Sequence, residues 1–114
     1  MSLTDHFDTD ALQLLQEIMD DEFSELIRVY LDDSRQRLHL MHQAAAQADA
    51  AQLRELAHSF KGASSNVSAL PLAALLQRLE DAGREQCLQD VTELLQQVEQ
   101  EFASVTALLS ARIV

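Results

Sequence analysis

The sequence predicts an all-α fold, an antiparallel up-and-down four-helix bundle with a short additional helix at the N-terminus. Three observations support this prediction. Alanine, leucine, glutamine and glutamate, which are strong helix formers, dominate the 114 residues. Two glycines and one proline leave little material for hairpins and tight turns. Apolar residues recur at helical spacing along four long segments, and no segment has a strand pattern of comparable strength.

The first two helices are predicted from capping residues that precede apolar positions. Asp8-Thr9-Asp10 offers N-cap side chains for a short helix that would cover one end of the bundle. The apolar residues that follow the cap in this helix are Leu12, Leu14, Leu15 and Ile18. Asp20-Asp21 then predicts the cap of a long second helix. The apolar stripe of that helix comprises Phe23, Leu26, Ile27, Tyr30, Leu38, Met41 and Ala45.

Three more helices follow, each with a start signal. Asp49 is a suitable N-cap for the third, Pro71 suits the first turn of the fourth, and Asp90 could cap the fifth. Gly83 is interpreted as the C-terminal stop of the fourth helix. The apolar face of the third helix is formed by Leu53, Leu56, Ala57, Phe60, Ser64 and Val67. That of the fourth is formed by Leu72, Leu75, Leu76 and Leu79. That of the fifth is formed by Val91, Leu94, Leu95, Val98, Phe102, Val105, Leu108 and Leu109.

Length and charge restrict the class of protein. Residues 1–114 are expected to form a single domain. A formal charge of −11 argues against a nucleic-acid surface, which needs cations to neutralise phosphates, and against binding to an anionic membrane. The start of the chain lacks the features of a signal peptide, no apolar run is long enough to span a bilayer, and one cysteine fits a reducing compartment. We therefore expect a cytoplasmic protein.

The most informative residues lie on the outer face of the third helix. With the apolar face set at 0°, a 3.6-residue turn places His58 at roughly 140°, pointing away from the core. Arg54 and Lys61 fall at roughly 100° and 80°, one turn to either side of the histidine. Gly62 and Ser65 lie close by, at roughly 180° and 120°. Lys61 is the only lysine among the eight basic residues, so a single ammonium group accompanies this histidine.

These residue types together favour phosphoryl chemistry. An exposed imidazole is largely neutral at pH 7, so the ring of His58 offers a nitrogen that can attack phosphorus. The ammonium of Lys61 would favour the neutral ring and then pair with phosphoryl oxygens. Gly62 costs about 0.5–1 kcal/mol relative to alanine inside a helix. Because the apolar face continues to Val67, capping does not explain this glycine, and close approach by another molecule does.

Two interpretations remain open from the residues alone. In the first, the protein is a phosphoryl carrier in which His58 is modified and partners dock transiently. In the second, it is a non-catalytic helical adaptor or oligomerisation module, and His58 is an ordinary surface histidine. Replacement of His58 by glutamine distinguishes them, because only the carrier would lose phosphoryl acceptance.

The sequence indicates neither a cofactor nor a metal site. It has no Gly-rich nucleotide loop and no metal-ligating carboxylate cluster beside His58, so we expect no ATP binding and no kinase activity. His39 and His42 are three positions apart on the second helix, but two imidazoles without a third ligand make a weak metal site. We interpret them as surface residues.

The run from Asp49 to Val67, with Ala57-His58-Ser59-Phe60-Lys61-Gly62 at its centre, resembles the histidine-containing phosphotransfer (HPt) domain. Leu79-Glu80 and the long last helix also fit, so the resemblance covers nearly the whole chain and is greatest to the free-standing bacterial modules. One position departs from the family, which usually has glycine ten positions after the histidine, where this chain has Ser68. The departure leaves the exit from the third helix open.

The resemblance implies a role for each central residue. His58 would carry the phosphoryl group on Nε2, taking it from a receiver-domain aspartate and passing it to the aspartate of a response regulator. Lys61 would stabilise the phosphohistidine, and Gly62 would give the receiver access. The implied partners are the receiver domains of hybrid sensor kinases and of response regulators. No cofactor is implied, because any Mg²⁺ would belong to the acidic pocket of the receiver.

Further docking residues are expected around this centre. Arg54 and Ser65 flank His58 on the third helix, and Leu40 lies off the apolar stripe of the second helix. If the two helices are antiparallel about Asp49, His39 and Leu40 are roughly level with His58. Leu40 then belongs either to a docking surface or to ordinary surface. The apolar stripe of the last helix is expected to line the core of a monomer and not a coiled-coil dimer.

Overall fold

The structure is a computed structural model that describes residues 2–113. Within this range the chain forms helices and turns but no strand, and no helix is long and apolar enough to cross a membrane. Two short 3-10 turns cover Leu3–Asp5 and Asp20–Glu22. The α-helices are α1 (Thr9–Met19), α2 (Phe23–Ala46), α3 (Ala50–Asn66), α4 (Leu70–Arg84) and α5 (Val91–Ser110).

Helices α2 to α5 form the bundle, and α1 packs on α2. The four long helices make a closed ring in which each contacts the next and α5 returns to α2, so that α3 and α5 are diagonal. Short connections make neighbouring helices antiparallel, as predicted. The pair α3 and α4 packs most extensively. This pair carries the residues of the candidate site.

The segment before α1 closes one end of the bundle. Phe7 is buried in the core, and the backbone amide of Asp8 donates to the carbonyl oxygen of Ser68 over 2.9 Å. Of the apolar residues of α1, Leu12 is buried, but Leu14 and Ile18 are 56% and 71% exposed. These two side chains stay exposed because α1 packs mainly on one other helix, which covers only a narrow stripe of it.

The core between the helices is aliphatic with a small aromatic cluster. Phe102 meets Phe60 edge-to-face, with ring centroids 5.5 Å apart, and Tyr30 at 6.3 Å. The Tyr30 hydroxyl lies 2.8 Å from Ser64 Oγ, so the polar residue predicted on the apolar face of α3 is paired inside the core. The side chains with no exposed surface include Leu12, Ile27, Met41, Leu53, Phe60, Leu72, Leu76, Leu79, Val98 and Leu109.

Some of the predicted helix starts are confirmed. The carboxylate of Asp8 accepts from the amide of Ala11, and that of Asp49 accepts from the amide of Gln52, each at 3.1 Å. Pro71 lies in the first turn of α4, where it has no intrahelical bond to lose.

Other predicted starts differ. The cap predicted at Asp20-Asp21 was wrong, because these residues lie in a 3-10 turn and α2 begins after Glu22. Glu22 has helical backbone angles and cannot take the extended conformation that a capping side chain needs. Asp90 is the N-cap residue of α5 by position, but its side chain makes no capping hydrogen bond.

Helices α2, α3 and α4 each end in the same type of turn. Ala48, Ser68 and Gln86 have positive φ angles of 54°, 64° and 56°. After each of them, the next amide donates to the carbonyl five residues earlier, which is the Schellman motif. The exit from the third helix is therefore defined. Helix α3 ends at Asn66, and Ser68 takes the left-handed conformation that glycine adopts most easily.

Gly83 does not stop α4, and the interpretation as a C-terminal stop was wrong. The helix continues to Arg84, and Gly83 is buried against α3. A Cβ on Gly83 would lie 2.8 Å from the carbonyl oxygen of Ala50 and 2.9 Å from the amide nitrogen of Arg54. The glycine is therefore required by the close approach of α3 and α4.

Candidate functional site

His58 lies on the outer face of α3, opposite the buried Ala57 and Phe60. Its side chain is 69% exposed, as the helical period predicts. The ring is nevertheless held on one side, because Nδ1 lies 3.1 Å from Oε1 of Glu80 on α4. The candidate nucleophile is thus accessible to another protein while its orientation is set by the fold.

Glu80 links the two central residues of α3. Its side chain is 11% exposed, and the oxygen that meets His58 also lies 2.7 Å from Nζ of Lys61. The hydrogen bond from Lys61, reinforced by His58, outweighs desolvation and lowers the pKa of the Glu80 carboxyl below its ordinary value. Glu80 is therefore ionised at neutral pH and can only accept hydrogen bonds.

This acceptor fixes the proton on the imidazole. A carboxylate offers no hydrogen to a ring nitrogen, so Nδ1 of His58 must carry the N–H that it donates to Glu80. In the neutral ring, Nε2 then bears the free lone pair. The geometry presents an oriented nucleophilic nitrogen on an exposed ring.

Lys61 is held by a second group on α4. Its side chain is 24% exposed, and Nζ donates to Oε1 of Gln77 over 2.8 Å. The amide nitrogen of Gln77 donates in turn to Asp81 over 2.9 Å, and Arg84 also donates to Asp81. The ammonium group is thus supported by a chain of hydrogen bonds along α4.

The packing of the bundle does not require a glycine at position 62. A Cβ placed on it would meet no atom of the described residues within 4 Å, in contrast to Gly83. It is exposed one turn after His58, on the same side of α3. The open space above it favours the interpretation that another molecule approaches there.

The remaining predicted residues are distributed around His58. Arg54 and His58 line a groove of about 590 Å³ between α3 and α4, with Glu80 and Arg84 on its other wall. Ser65 is exposed two turns beyond His58 on α3, and Leu40 is exposed on α2.

The register of α2 against α3 is set by a side-chain hydrogen bond. Nε of Arg37 donates to Oγ of Ser59 over 3.0 Å. In antiparallel helices this pairing places position 38 level with His58, so Leu40 lies two residues further along α2. Leu40 is therefore near the level of the histidine, as the sequence suggested.

Comparison with known proteins identifies the family. The model of the Hpt domain family matches residues 25–108 of the 114. The chain belongs to the Hpt domain family. It is therefore a histidine phosphotransfer protein of phosphorelay signalling, and Hpt proteins are phosphoryl carriers and not kinases.

A solved Hpt structure agrees closely with this one. It is the crystal structure of histidine-containing phosphotransfer protein B (HptB) from Pseudomonas aeruginosa PAO1. The two chains are 42% identical, the match covers 94% of this chain and 93% of that one, and the TM-score is 0.91. No protein in the curated sequence comparison matches. The resemblance inferred from the sequence is confirmed.

Two residues of the candidate site were missed as functional by sequence reasoning. Glu80 entered only as part of the family resemblance, and Gln77 did not enter at all. A signal for Glu80 was present, because it lies four positions after Leu76 and so continues the apolar face of α4. A carboxylate on a buried face needs a cationic or hydrogen-bonding partner.

The other histidines contact residues outside the candidate site. His42 pairs with Glu99, and His6 lies 2.6 Å from Glu101, so both link to α5. His39 is exposed beside Gln43. Within residues 2–113, no three metal-ligating side chains are grouped so that they could hold an ion.

Proposed function

We propose that His58 is the residue of this Hpt protein that gains and loses the phosphoryl group in the relay. It takes a phosphoryl group from the aspartyl phosphate of one receiver domain and passes it to the aspartate of a response regulator. The observation that supports this most strongly is the exposed imidazole whose Nδ1–H is held by Glu80, which leaves Nε2 free.

The transfer step follows from this tautomer. The Nε2 lone pair attacks phosphorus, the N–P bond forms, and the O–P bond to the donor aspartate breaks, so that the donor leaves as a carboxylate. No proton has to leave Nε2 first, because the ring proton is already on Nδ1. The reverse displacement, by a carboxylate of the acceptor receiver, returns the ring to its starting state.

Two charged groups match the charges that develop. The imidazole ring becomes positive as the N–P bond forms, and the Glu80 carboxylate 3.1 Å from Nδ1 stabilises that charge. The phosphoryl oxygens carry negative charge, and Lys61 supplies a cation one turn away on the same helix. The site needs no nucleotide or bound metal of its own for these steps.

The surface around His58 serves as the docking face. Gly62 provides room for the partner above the helix, while Arg54, Ser65 and Leu40 surround the histidine on α3 and α2. We assign residues 1–114 to a single Hpt domain that works as a monomer in the cytoplasm, with receiver domains as partners.

The decisive experiment is transfer from a phosphorylated receiver domain. We expect the wild-type protein to take the label in an acid-labile, alkali-stable form, and a second receiver to remove it. His58→Gln should take none while keeping its helical content. His42→Gln is the matched control, because it changes another exposed histidine of the bundle, one that pairs with Glu99 of α5, and it should behave as the wild type. Label on the His58→Gln protein, or none on the wild type with any receiver of a broad panel, would refute the assignment and favour the adaptor.

A further inference from the structure

Lys61 is oriented by α4 more strictly than a surface lysine is. Its Nζ has two acceptors at hydrogen-bond distance, Glu80 Oε1 at 2.7 Å and Gln77 Oε1 at 2.8 Å. An ammonium group has three N–H donors and no acceptor. Two of the three are occupied by side chains of α4, and one remains for a phosphoryl oxygen.

The amide of Gln77 can support Lys61 in only one of its two orientations. With the carbonyl oxygen towards Nζ it accepts a hydrogen bond, whereas with the NH₂ towards Nζ two donors would face each other. Asp81 decides between them, because its carboxylate accepts from Gln77 Nε2 over 2.9 Å. Hydrogen bonding by Gln77 and Arg84 lowers the pKa of Asp81, which keeps this carboxylate ionised and an acceptor only.

We propose that Gln77 and Asp81 are positioning residues for phosphoryl transfer. Gln77 holds the Lys61 ammonium in place, and Asp81 holds the Gln77 amide in the orientation that accepts from it. This inference rests on the proposed function, since it assigns what aims the cation towards a phosphoryl group on His58.

The order of the four side chains gives each a separate task. Glu80 contacts both His58 and Lys61 and lies nearest the reaction. Gln77 contacts Lys61 but not the imidazole, and Asp81 contacts Gln77 and Arg84 but neither central residue. The effect of Gln77 on transfer must therefore pass through Lys61. The effect of Asp81 passes through Gln77 and, to a smaller extent, through the Coulomb attraction between its carboxylate and the Lys61 ammonium.

The test uses phosphoramidate as a small phosphoryl donor, so that partner docking does not enter the measurement. In the loading step Nε2 attacks phosphorus, the P–N bond of phosphoramidate breaks, and ammonia leaves. Gln77→Met keeps the length of the side chain but removes the acceptor. We expect it to load His58 about tenfold more slowly, the loss associated with one hydrogen bond to a charged group.

The decisive readout is the coupling between Gln77 and Lys61. In a Lys61→Met background, Gln77→Met should cause no further loss, because its target is already absent. A purely structural role would give the same factor in both backgrounds. The proposal is overturned if Gln77→Met loads like the wild type, or if its factor persists without Lys61.

The role of Asp81 is tested by exchanging its carboxylate with the amide of Gln77. In Asp81→Asn with Gln77→Glu, the new carboxylate at position 77 can accept from both Lys61 and the Asn amide. We expect this pair to load within about twofold of the wild type, while Asp81→Asn alone loses part of the rate because the Gln77 amide is no longer forced into one orientation. A double variant that loads as slowly as Gln77→Met would contradict the assignment of Asp81 as a positioning residue.

Controls separate this inference from the proposed function. Gln97→Met, at a half-buried glutamine of α5 diagonal to α3, should load normally. Unfolding curves identify any variant that fails to fold, and Asp81→Asn, which preserves side-chain shape, still tests the network if Gln77→Met does not fold. Loading of the His58→Gln protein would refute the proposed function, whatever the Gln77 variants do.

Discussion

Gly83 and Ala50 lie at a close approach of α4 to α3, where a Cβ on the glycine would lie 2.8 Å from the alanine carbonyl oxygen. Glu80 lies one turn before Gly83 on the same face of α4. The glycine contact therefore sets the helix spacing at the level where the Glu80 carboxylate reaches His58. Helix packing and site geometry depend on the same missing methyl group.

The first prediction concerns Gly83→Ala. The added Cβ forces α3 and α4 apart, and we expect a loss of about 1–3 kcal/mol in the free energy of unfolding, typical of overpacking. Because the Glu80–His58 distance increases, loading by phosphoramidate should also slow. Urea unfolding and loading rates measure the two effects. A variant as stable as the wild type would show that the backbone can yield at this contact.

Gly62→Ala should have the opposite effect on stability. No described atom lies within 4 Å of the added Cβ, and alanine in a helix interior is favoured by about 0.5–1 kcal/mol. Transfer from a receiver domain should nevertheless fall, because the methyl group occupies the space that the partner needs. The loss should be larger with a receiver than with phosphoramidate. Equal losses with both donors would argue against a docking role.

The contrast between the two glycines shows what sequence reasoning could and could not reach. Helical periodicity was sufficient to place His58 on the outer face of α3 and to associate Lys61 and Gly62 with it. The same reasoning misassigned Gly83, because a glycine near the end of an apolar stripe fits a helix stop as well as a close helix contact. Only the packing of α3 on α4 distinguishes these two roles.

The hydrogen bonds that hold Lys61 could not be predicted from the sequence for a related reason. Glu80 and Gln77 reach their partners across a helix interface, at separations in sequence that no periodic pattern within one helix reports. At Ser68 the sequence located the unusual position but not its structural role. The sequence identified the departure from the family glycine, but only the backbone angle of 64° explains what the glycine would supply.

Glu80 should make stability depend on pH in the acid range. Its pKa in the folded protein is lowered from 4.5, mainly by the hydrogen bond from Lys61. The ionised group therefore stabilises the fold fully above that value, and the contribution is lost as the pH falls through the lower folded pKa. We expect wild type and Glu80→Gln to differ in unfolding free energy near neutral pH and to converge in acid. Lys61→Met should diminish the difference, and a gap that is constant with pH would contradict the prediction.

Tyr30 offers a spectroscopic test of the core, because the chain has one tyrosine and no tryptophan. Burial raises the pKa of Tyr30 from 10.0 to about 12, although hydrogen bonding to Ser64 opposes the shift. Its neutral form stabilises the fold fully below pH 10.0, and this contribution is lost as the pH rises through about 12. Tyrosinate absorbance should report the raised value in buffer and an ordinary one in urea. Ionisation near pH 10 with helical structure intact would refute the burial of the Tyr30 hydroxyl against Ser64.

The positive φ of Ala48 predicts a stabilising substitution. An L-residue in the left-handed region is strained by about 1–2 kcal/mol relative to glycine, part of which is offset by the greater freedom of glycine in the unfolded chain. Ala48→Gly should therefore raise the free energy of unfolding by about 1 kcal/mol. Ala103→Gly, at an exposed position within α5, is the matched control and should lower it by a similar amount. Destabilisation by both would show that the turn at Ala48 is not strained.

With His58 as the proposed phosphoryl carrier, the exposure of its ring determines the order of events in the relay. A single ring nitrogen on a convex helix face cannot be reached by two proteins at once, so donor and acceptor must exclude each other. Every delivery then requires the first complex to dissociate before the second forms, and exchange follows a ping-pong scheme. Partners that share this carrier compete for it in proportion to their abundance and affinity. Access to Nε2 of His58 therefore limits the rate at which phosphoryl groups pass to each partner.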